Sequence, residues 1–295
     1  MTMLGDNRTI GERLAGVRGV MFDIDGCLIL SDTSGDHADV ALPGAAEAIA
    51  FVRSQGLPLV VFTNGSMQTP GTIAATLREL GIDVTDDEVL TPAVVAAELA
   101  NDRHPGSPVL VFGGAGICDV FDAHGVPMID VEAALRDGPV ETPLVVIGWD
   151  LTFGRDKLLV AAEAVKAGAH ILVTSDAPTF ASSRRMNVGV AGFIAAGVRH
   201  VTGQDYEIAG KPSAAAMTLI ARRLGVRPDQ VLVVGDDLAL ESAMAVAAGA
   251  TSVLVTTGTS TRADALALDP ARRPLVVDSL TELVDQWRGA IPSSA

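Results

Sequence analysis

The sequence predicts a doubly wound, Rossmann-like α/β core with a parallel sheet and a second α/β domain inserted into it. Three observations carry that expectation. Short apolar runs alternate with Ala-rich amphipathic stretches over almost the whole chain, as strands joined by crossover helices do. Gly56, Gly81, Gly168, Gly225 and Gly249 closely follow helical stretches, where helices stop. Two breaks, HPGSP at 104–108 and VTGQDYEIAG at 201–210, bracket a middle segment with its own alternation. The expected division is an outer core of 1–103 and 204–295 around an inserted domain of 104–203.

The elements follow in chain order. Gly19–Phe22 and Pro58–Thr63 are unbroken apolar runs, the mark of strands buried on both faces. Between and after them, Ala45–Ser54 and Thr72–Leu80 repeat apolar residues with helical spacing. Val109–Phe112, Leu144–Gly148 and His170–Thr174 read as three strands of the middle segment, with Lys157–Ala167 as a helix among them. Helix Ser213–Leu224, strand Val231–Gly235, helix Leu240–Ala248 and strand Ser252–Thr256 then return to the outer core.

Composition narrows the function classes. The chain has 295 residues, about two domains' worth, and at 48% hydrophobic and 19% charged it can bury sizeable cores. A net charge of −15 argues against nucleic acid as a partner, since phosphate backbones demand basic surface. An acidic whole can still enclose a basic pocket for a small anion. No apolar run is long enough to span a bilayer, and the N-terminal stretch lacks the apolar core of a secretory signal. The two cysteines, Cys27 and Cys118, form no CxxC pair and read as reduced thiols of a cytoplasmic protein.

Four motifs fall where a strand gives way to a loop or a helix begins: DIDG at 23–26, VVFTNGS at 60–66, AGKPS at 209–213 and VLVVGDDLALESA at 231–243. In open parallel sheets ligands bind at the carboxyl ends of strands, so all four can meet at one edge. Asp23 and Asp25 stand i, i+2. In an extended chain both point the same way, about 6–7 Å apart, and they repel unless a cation or a shared proton relieves them. Singly, each motif has an ordinary explanation. The acids can bind loop amides, Thr63 and Asn64 can form a turn, Lys211 can be solvated, and Asp236 and Asp237 can cap a helix. Those explanations do not account for acids, a hydroxyl, a lysine and more acids all falling at strand ends.

The ordered set DxDG, TN, GKP and GDD resembles the haloacid dehalogenase superfamily of phosphohydrolases. The long α/β segment between TNGS and GKPS, with VFGGAGICDVFDAHGV and VVIGWDLTFGRDKL in it, is similar to the large cap of its p-nitrophenyl-phosphatase-like subfamily. The resemblance implies Mg²⁺-dependent hydrolysis of a small phosphomonoester through an aspartyl-phosphate, and leaves the substrate open among glycerol phosphate, phosphoglycolate, sugar phosphates, nucleoside monophosphates and pyridoxal phosphate. It makes Asp23 the nucleophile and Asp25 the general acid and base. Thr63, Asn64 and Lys211 would hold the phosphoryl group. The metal would take the side chains of Asp23 and Asp236 and the backbone carbonyl of Asp25. Many relatives carry an aspartate five residues beyond the metal-binding acid of the fourth motif. Here that residue is Glu241, and Asp237 directly follows Asp236, so either could orient water around the metal. The resemblance also implies a homodimer formed through the cap.

Two other functions stay open: a C–halogen hydrolase of the same superfamily, which generally lacks the second acid of DxDG, and a catalytically silent phosphometabolite-binding protein. FGGAG at 112–116 fails the dinucleotide fingerprint because Asp119 holds its third glycine position, which leaves a tight turn. Pro212 in place of Ser or Thr excludes a P-loop at Gly210-Lys211. The five histidines, His37, His104, His124, His170 and His200, show no paired ligand spacing. Arg184 and Arg185 are either a solvated pair or a cap contact to an anionic substrate.

Overall fold

The computed structural model describes residues 10–30, 40–180 and 187–290; Arg184, Arg185 and His37 lie outside them. Ten strands build its two main sheets: β1 Gly19–Asp23, β2 Leu59–Phe62, β3 Val89–Leu90, β4 Leu110–Phe112, β5 Leu144–Ile147, β6 His170–Val173, β7 Tyr206–Ile208, β8 Val231–Gly235, β9 Thr251–Val255 and β10 Leu275–Val277. The first sheet runs β10-β9-β8-β1-β2-β3, with every pair parallel. After β1 the chain builds outward through β2 and β3, then returns to β8 on the other side of β1. The order therefore reverses between β1 and β8, the place where open α/β sheets form a crevice.

Alternate residues of each central strand enter opposite cores, because successive side chains point to opposite faces. Val20 and Phe22 of β1 join Leu232 and Val234 of β8 in a core with Ile49, Leu283 and Trp287. Met21 joins Val231 and Val233 on the other face, with Met217 and Ile220 of the helix Ala214–Leu224. Both faces are covered, which is why β1 and β8 read as continuous apolar runs.

The second sheet runs β7-β6-β5-β4, again parallel throughout. Val145 and Ile147 of β5 pack with Val160 and Ile194 in this unit's own core, while Leu144 and Val146 face the large core shared with the first sheet. The fold is thus a Rossmann-like core with an inserted α/β cap.

Two details differ from expectation. Tyr206–Ile208 pairs with β6, and Ala209 and Gly210 donate to the carbonyls of Val173 and Thr174, so the chain stays with the second sheet beyond residue 203. A strand of three residues behind the GQD turn leaves little apolar signal. FGGAG opens the helix Ala115–Ala123 rather than forming an isolated tight turn. At Gly116 a Cβ would lie 2.4 Å from the Met67 backbone carbon, so the glycine lets the cap helix rest directly on the core loop.

Candidate active site

β1 ends at Asp23 and the chain turns immediately: the Ile24 carbonyl accepts the N–H groups of Cys27, Leu28 and Ile29. Asp25 therefore stands on the turn rather than on the strand, and the same-face spacing expected for an extended i, i+2 pair does not apply. Instead Thr63, just past β2, brings Asp25 in: its hydroxyl donates to Asp25 Oδ2 at 3.1 Å and accepts the Gly65 N–H at 2.9 Å.

Lys211 reaches the same place from the far side of the cap. Ser213 caps the following helix by accepting the Ala216 N–H, which fixes the turn that carries the lysine. Its ammonium is buried at 2% exposure and donates to Asp23 Oδ1, to Glu241 Oε1 at 2.6 Å and to the Phe62 carbonyl at 3.1 Å. Asn64 grips the Lys211 backbone in both directions. Asp23, Asp25, Thr63, Asn64 and Lys211 are thus brought together by hydrogen bonds at the ends of β1 and β2.

Asp236 follows β8, the neighbour of β1, and is buried. Its Oδ2 accepts the Thr259 N–H at 2.6 Å. Gly26 and Gly258 make room for it: a Cβ on Gly258 would lie 2.0 Å from Asp236 Oδ2, and one on Gly26 2.6 Å from it. The loop after β9, Thr256–Ser260, is a part of the site that sequence reasoning missed. Besides Thr259, Thr257 donates to the Gly26 carbonyl and the Ser260 N–H to the Asp236 carbonyl. The signal was present in TTGTS, a fifth strand end rich in hydroxyls and glycine.

Asp237 and Glu241 part company. Asp237 Oδ1 accepts the Ala239 N–H at 2.7 Å and starts the next helical turn. Glu241 is buried at 1% exposure, with one oxygen on Lys211 and the other accepting the Asp237 N–H at 3.0 Å. Cys27 is also buried, its thiol against the Val234 carbonyl, and burial pushes that thiol's pKa up, which suits packing rather than nucleophilic attack.

The charges in this pocket do not balance. Burial raises the Asp23 carboxyl well above its ordinary range; Lys211 opposes that, while Glu241, Asp236 and Asp25 add to it. Asp236 is raised by burial against the opposing Thr259 N–H. Burial likewise disfavours the Lys211 charge, but Asp23 and Glu241 outweigh it and hold the ammonium protonated. Three buried acids share one lysine. That surplus, offered by hard oxygens, fits a divalent cation such as Mg²⁺. Among the described residues no cluster of three or more His, Cys, Asp or Glu is arranged as a metal cage. Mg²⁺ needs none, since it keeps waters and binds through one or two carboxylates.

Residues 20–127 match the family model described as haloacid dehalogenase-like hydrolase, and 208–283 match a related haloacid dehalogenase-type model. An acid sugar phosphatase from Staphylococcus epidermidis is 30% identical over 83% of this chain and 88% of its own length. The chain is a haloacid dehalogenase-like hydrolase. A D-glycerol 3-phosphate phosphatase from Mycobacterium tuberculosis is 35% identical over 79% of this chain, which spans 63% of that relative's length. The solved structure of a glycerol phosphate phosphatase from the same organism, in complex with magnesium, superposes with a TM-score of 0.78 at 30% identity, covering 94% of this chain and 78% of that one. Both matched segments of this haloacid dehalogenase-like hydrolase contain site residues, with the cap largely between them.

Proposed function

We propose that this hydrolase cleaves small phosphomonoesters with Mg²⁺, using Asp23 as nucleophile and Asp25 as general acid and base. The observation that carries the reading is the buried ion pair of Asp23 with Lys211 at the crevice between β1 and β8, beside Asp236 and Thr63. A carboxylate attacking a phosphate dianion meets repulsion, and the lysine offsets it. Asp23 Oδ forms the bond to phosphorus as the ester P–O bond breaks, and Asp25 passes a proton to the departing alkoxide. Asp25 then takes a proton from the water that splits the aspartyl-phosphate, releasing inorganic phosphate. Asp23, Asp236 and the Asp25 carbonyl would hold the metal, which supplies further charge neutralisation when bound.

Thr63, Asn64 and the neighbouring loop amides are suited to orient the phosphoryl oxygens. The cap, resting on the core at Gly116 and Met67, suits substrates small enough to be enclosed. Polyol and sugar phosphates are the first classes to test, given the names of the relatives. The second acid at Asp25 disfavours C–halogen hydrolysis. Two unpaired cysteines, Cys27 and Cys118, suit a reducing, cytoplasmic setting, and no helix among the described residues is long and apolar enough to cross a membrane. The test is turnover of p-nitrophenyl phosphate with Mg²⁺, its loss in EDTA and its loss in Asp23→Asn. Binding of a phosphometabolite with no turnover under any metal would favour a silent binding protein.

A further inference from the structure

We propose that Glu241 is a positioning residue for Lys211 and does not orient water around the metal; this rests on the phosphatase reading above. The chain leaves β8 through a wide π-type turn, Leu238–Ser242, in which the Asp237 carbonyl accepts from both Glu241 and Ser242. That turn folds the Glu241 side chain back over the end of β8, where a Cβ on Gly235 would lie 2.3 Å from Glu241 Cγ. Its extra methylene, relative to the aspartate many relatives carry there, carries Oε1 to within 2.6 Å of Lys211 Nζ. The other oxygen is occupied by the Asp237 N–H.

An ammonium has three protons, and all three of Lys211 are engaged: by Asp23, by Glu241 and by the Phe62 carbonyl. The Phe62 carbonyl and Glu241 are not consumed by the reaction, whereas Asp23 is. When Asp23 becomes an acyl phosphate it gives up its negative charge, which leaves with the alkoxide and, once Asp25 has protonated that oxygen, rests on Asp25. The Lys211 N–H that Asp23 accepted is then free to turn to the phosphoryl oxygens. Glu241 keeps the lysine aimed during that exchange. Without it, a buried ammonium would lose an anionic partner and could turn toward other acids in the pocket.

The proposal separates from a metal role in three measurements. Glu241→Asp keeps the charge and shortens the reach, so Lys211 is misplaced and kcat should fall on the order of 10²-fold, with Mg²⁺ binding by calorimetry without substrate unchanged. An altered Mg²⁺ affinity, or an unchanged kcat, overturns it. Thermal unfolding of Lys211→Met, Glu241→Leu and the double variant forms a cycle that needs no turnover. The double variant should melt no lower than Lys211→Met alone, because Glu241 loses its purpose once the lysine is gone. Additive losses would show that the two act independently and would overturn the proposal. A wild-type enzyme with no phosphatase activity would refute the reading of function, and the thermal cycle would still decide the pair.

Discussion

Asn64 and Lys211 hold each other by two hydrogen bonds: the amide Nδ2 donates to the Lys211 carbonyl at 3.0 Å, and Oδ1 accepts the Lys211 N–H at 2.8 Å. The chain re-enters the core from the cap at this clamp, because the Gly210 N–H still belongs to Thr174 of the cap. The expected phosphate-binding asparagine is therefore also the part that fixes where the lysine begins. Asn64→Ala leaves a buried backbone donor and acceptor without partners, at a cost of about 1–3 kcal/mol. We expect a lower midpoint in denaturant and a fall in kcat larger than any rise in KM. An unchanged kcat would show that Lys211 is placed without the clamp.

Gly258→Ala tests the seat of Asp236. Its backbone lies outside the left-handed region, so alanine introduces no conformational strain, yet the new Cβ would fall 2.0 Å from Asp236 Oδ2. The carboxylate must move. The Mg²⁺ concentration for half-maximal activity should rise on the order of tenfold or more, with the fold intact by circular dichroism. Gly197→Ala is the control: it stands in the helix Val190–Thr202 with nothing within 4 Å of the added carbon. It should stabilise the protein by up to ~1 kcal/mol and leave the Mg²⁺ requirement alone.

The central strands were legible because parallel strands covered on both faces are uninterrupted apolar runs; Val231–Gly235 is one whose limits agree to the residue. The helix Ala45–Ser54 was equally clear from its spacing. The helix Pro92–Arg103 was not, since it is buried on several sides and its Ala and Val residues lack a polar stripe. The short strands Val89–Leu90 and Leu275–Val277 carry too few residues to show a period. Within the site, the strand-end acids and Lys211 stood out as charges beside apolar runs. What joins them did not, because the Thr259 amide on Asp236 and the reach of Glu241 to Lys211 depend on loop paths rather than residue type.

Asp23→Asn separates chemistry from stability. Turnover should vanish, since an amide is no nucleophile toward phosphorus. Stability without metal should be kept or rise, because one of three buried acids sharing a single lysine is neutralised while Glu241 still pairs with Lys211. A thermal scan in EDTA checks this. A large fall in the melting temperature would mean that the Asp23 pair holds the core together, not only the site.

The seam between cap and core should respond to Gly116→Ala. The added carbon would meet the Met67 carbon at 2.4 Å, the Met67 oxygen at 2.5 Å and the Gln68 nitrogen at 2.6 Å. All three are backbone atoms that cannot swing aside, so the helix Ala115–Ala123 must lift. KM should rise for sugar and polyol phosphates, whose remote hydroxyls need the cap, more than for inorganic phosphate as an inhibitor, which needs only the core. Equal changes in both would place the disturbance in the catalytic loop through Met67 instead.

Asp25→Asn reads the proton transfer. Asp25 is held by the Thr63 hydroxyl at 3.1 Å, and an amide oxygen can accept the same bond, so the site's shape should survive the change. What is lost is a proton donor for the leaving group. An alkoxide leaves poorly without a proton, whereas p-nitrophenolate leaves well without one. The rate of the step that releases the alcohol should fall on the order of 10²–10⁴-fold for an alkyl phosphate and much less for p-nitrophenyl phosphate. Single-turnover measurement isolates that step, because splitting the aspartyl-phosphate also needs Asp25 and slows for both substrates alike. Equal losses in the first step would mean that Asp25 only orders Thr63, and that the departing oxygen takes its proton from water.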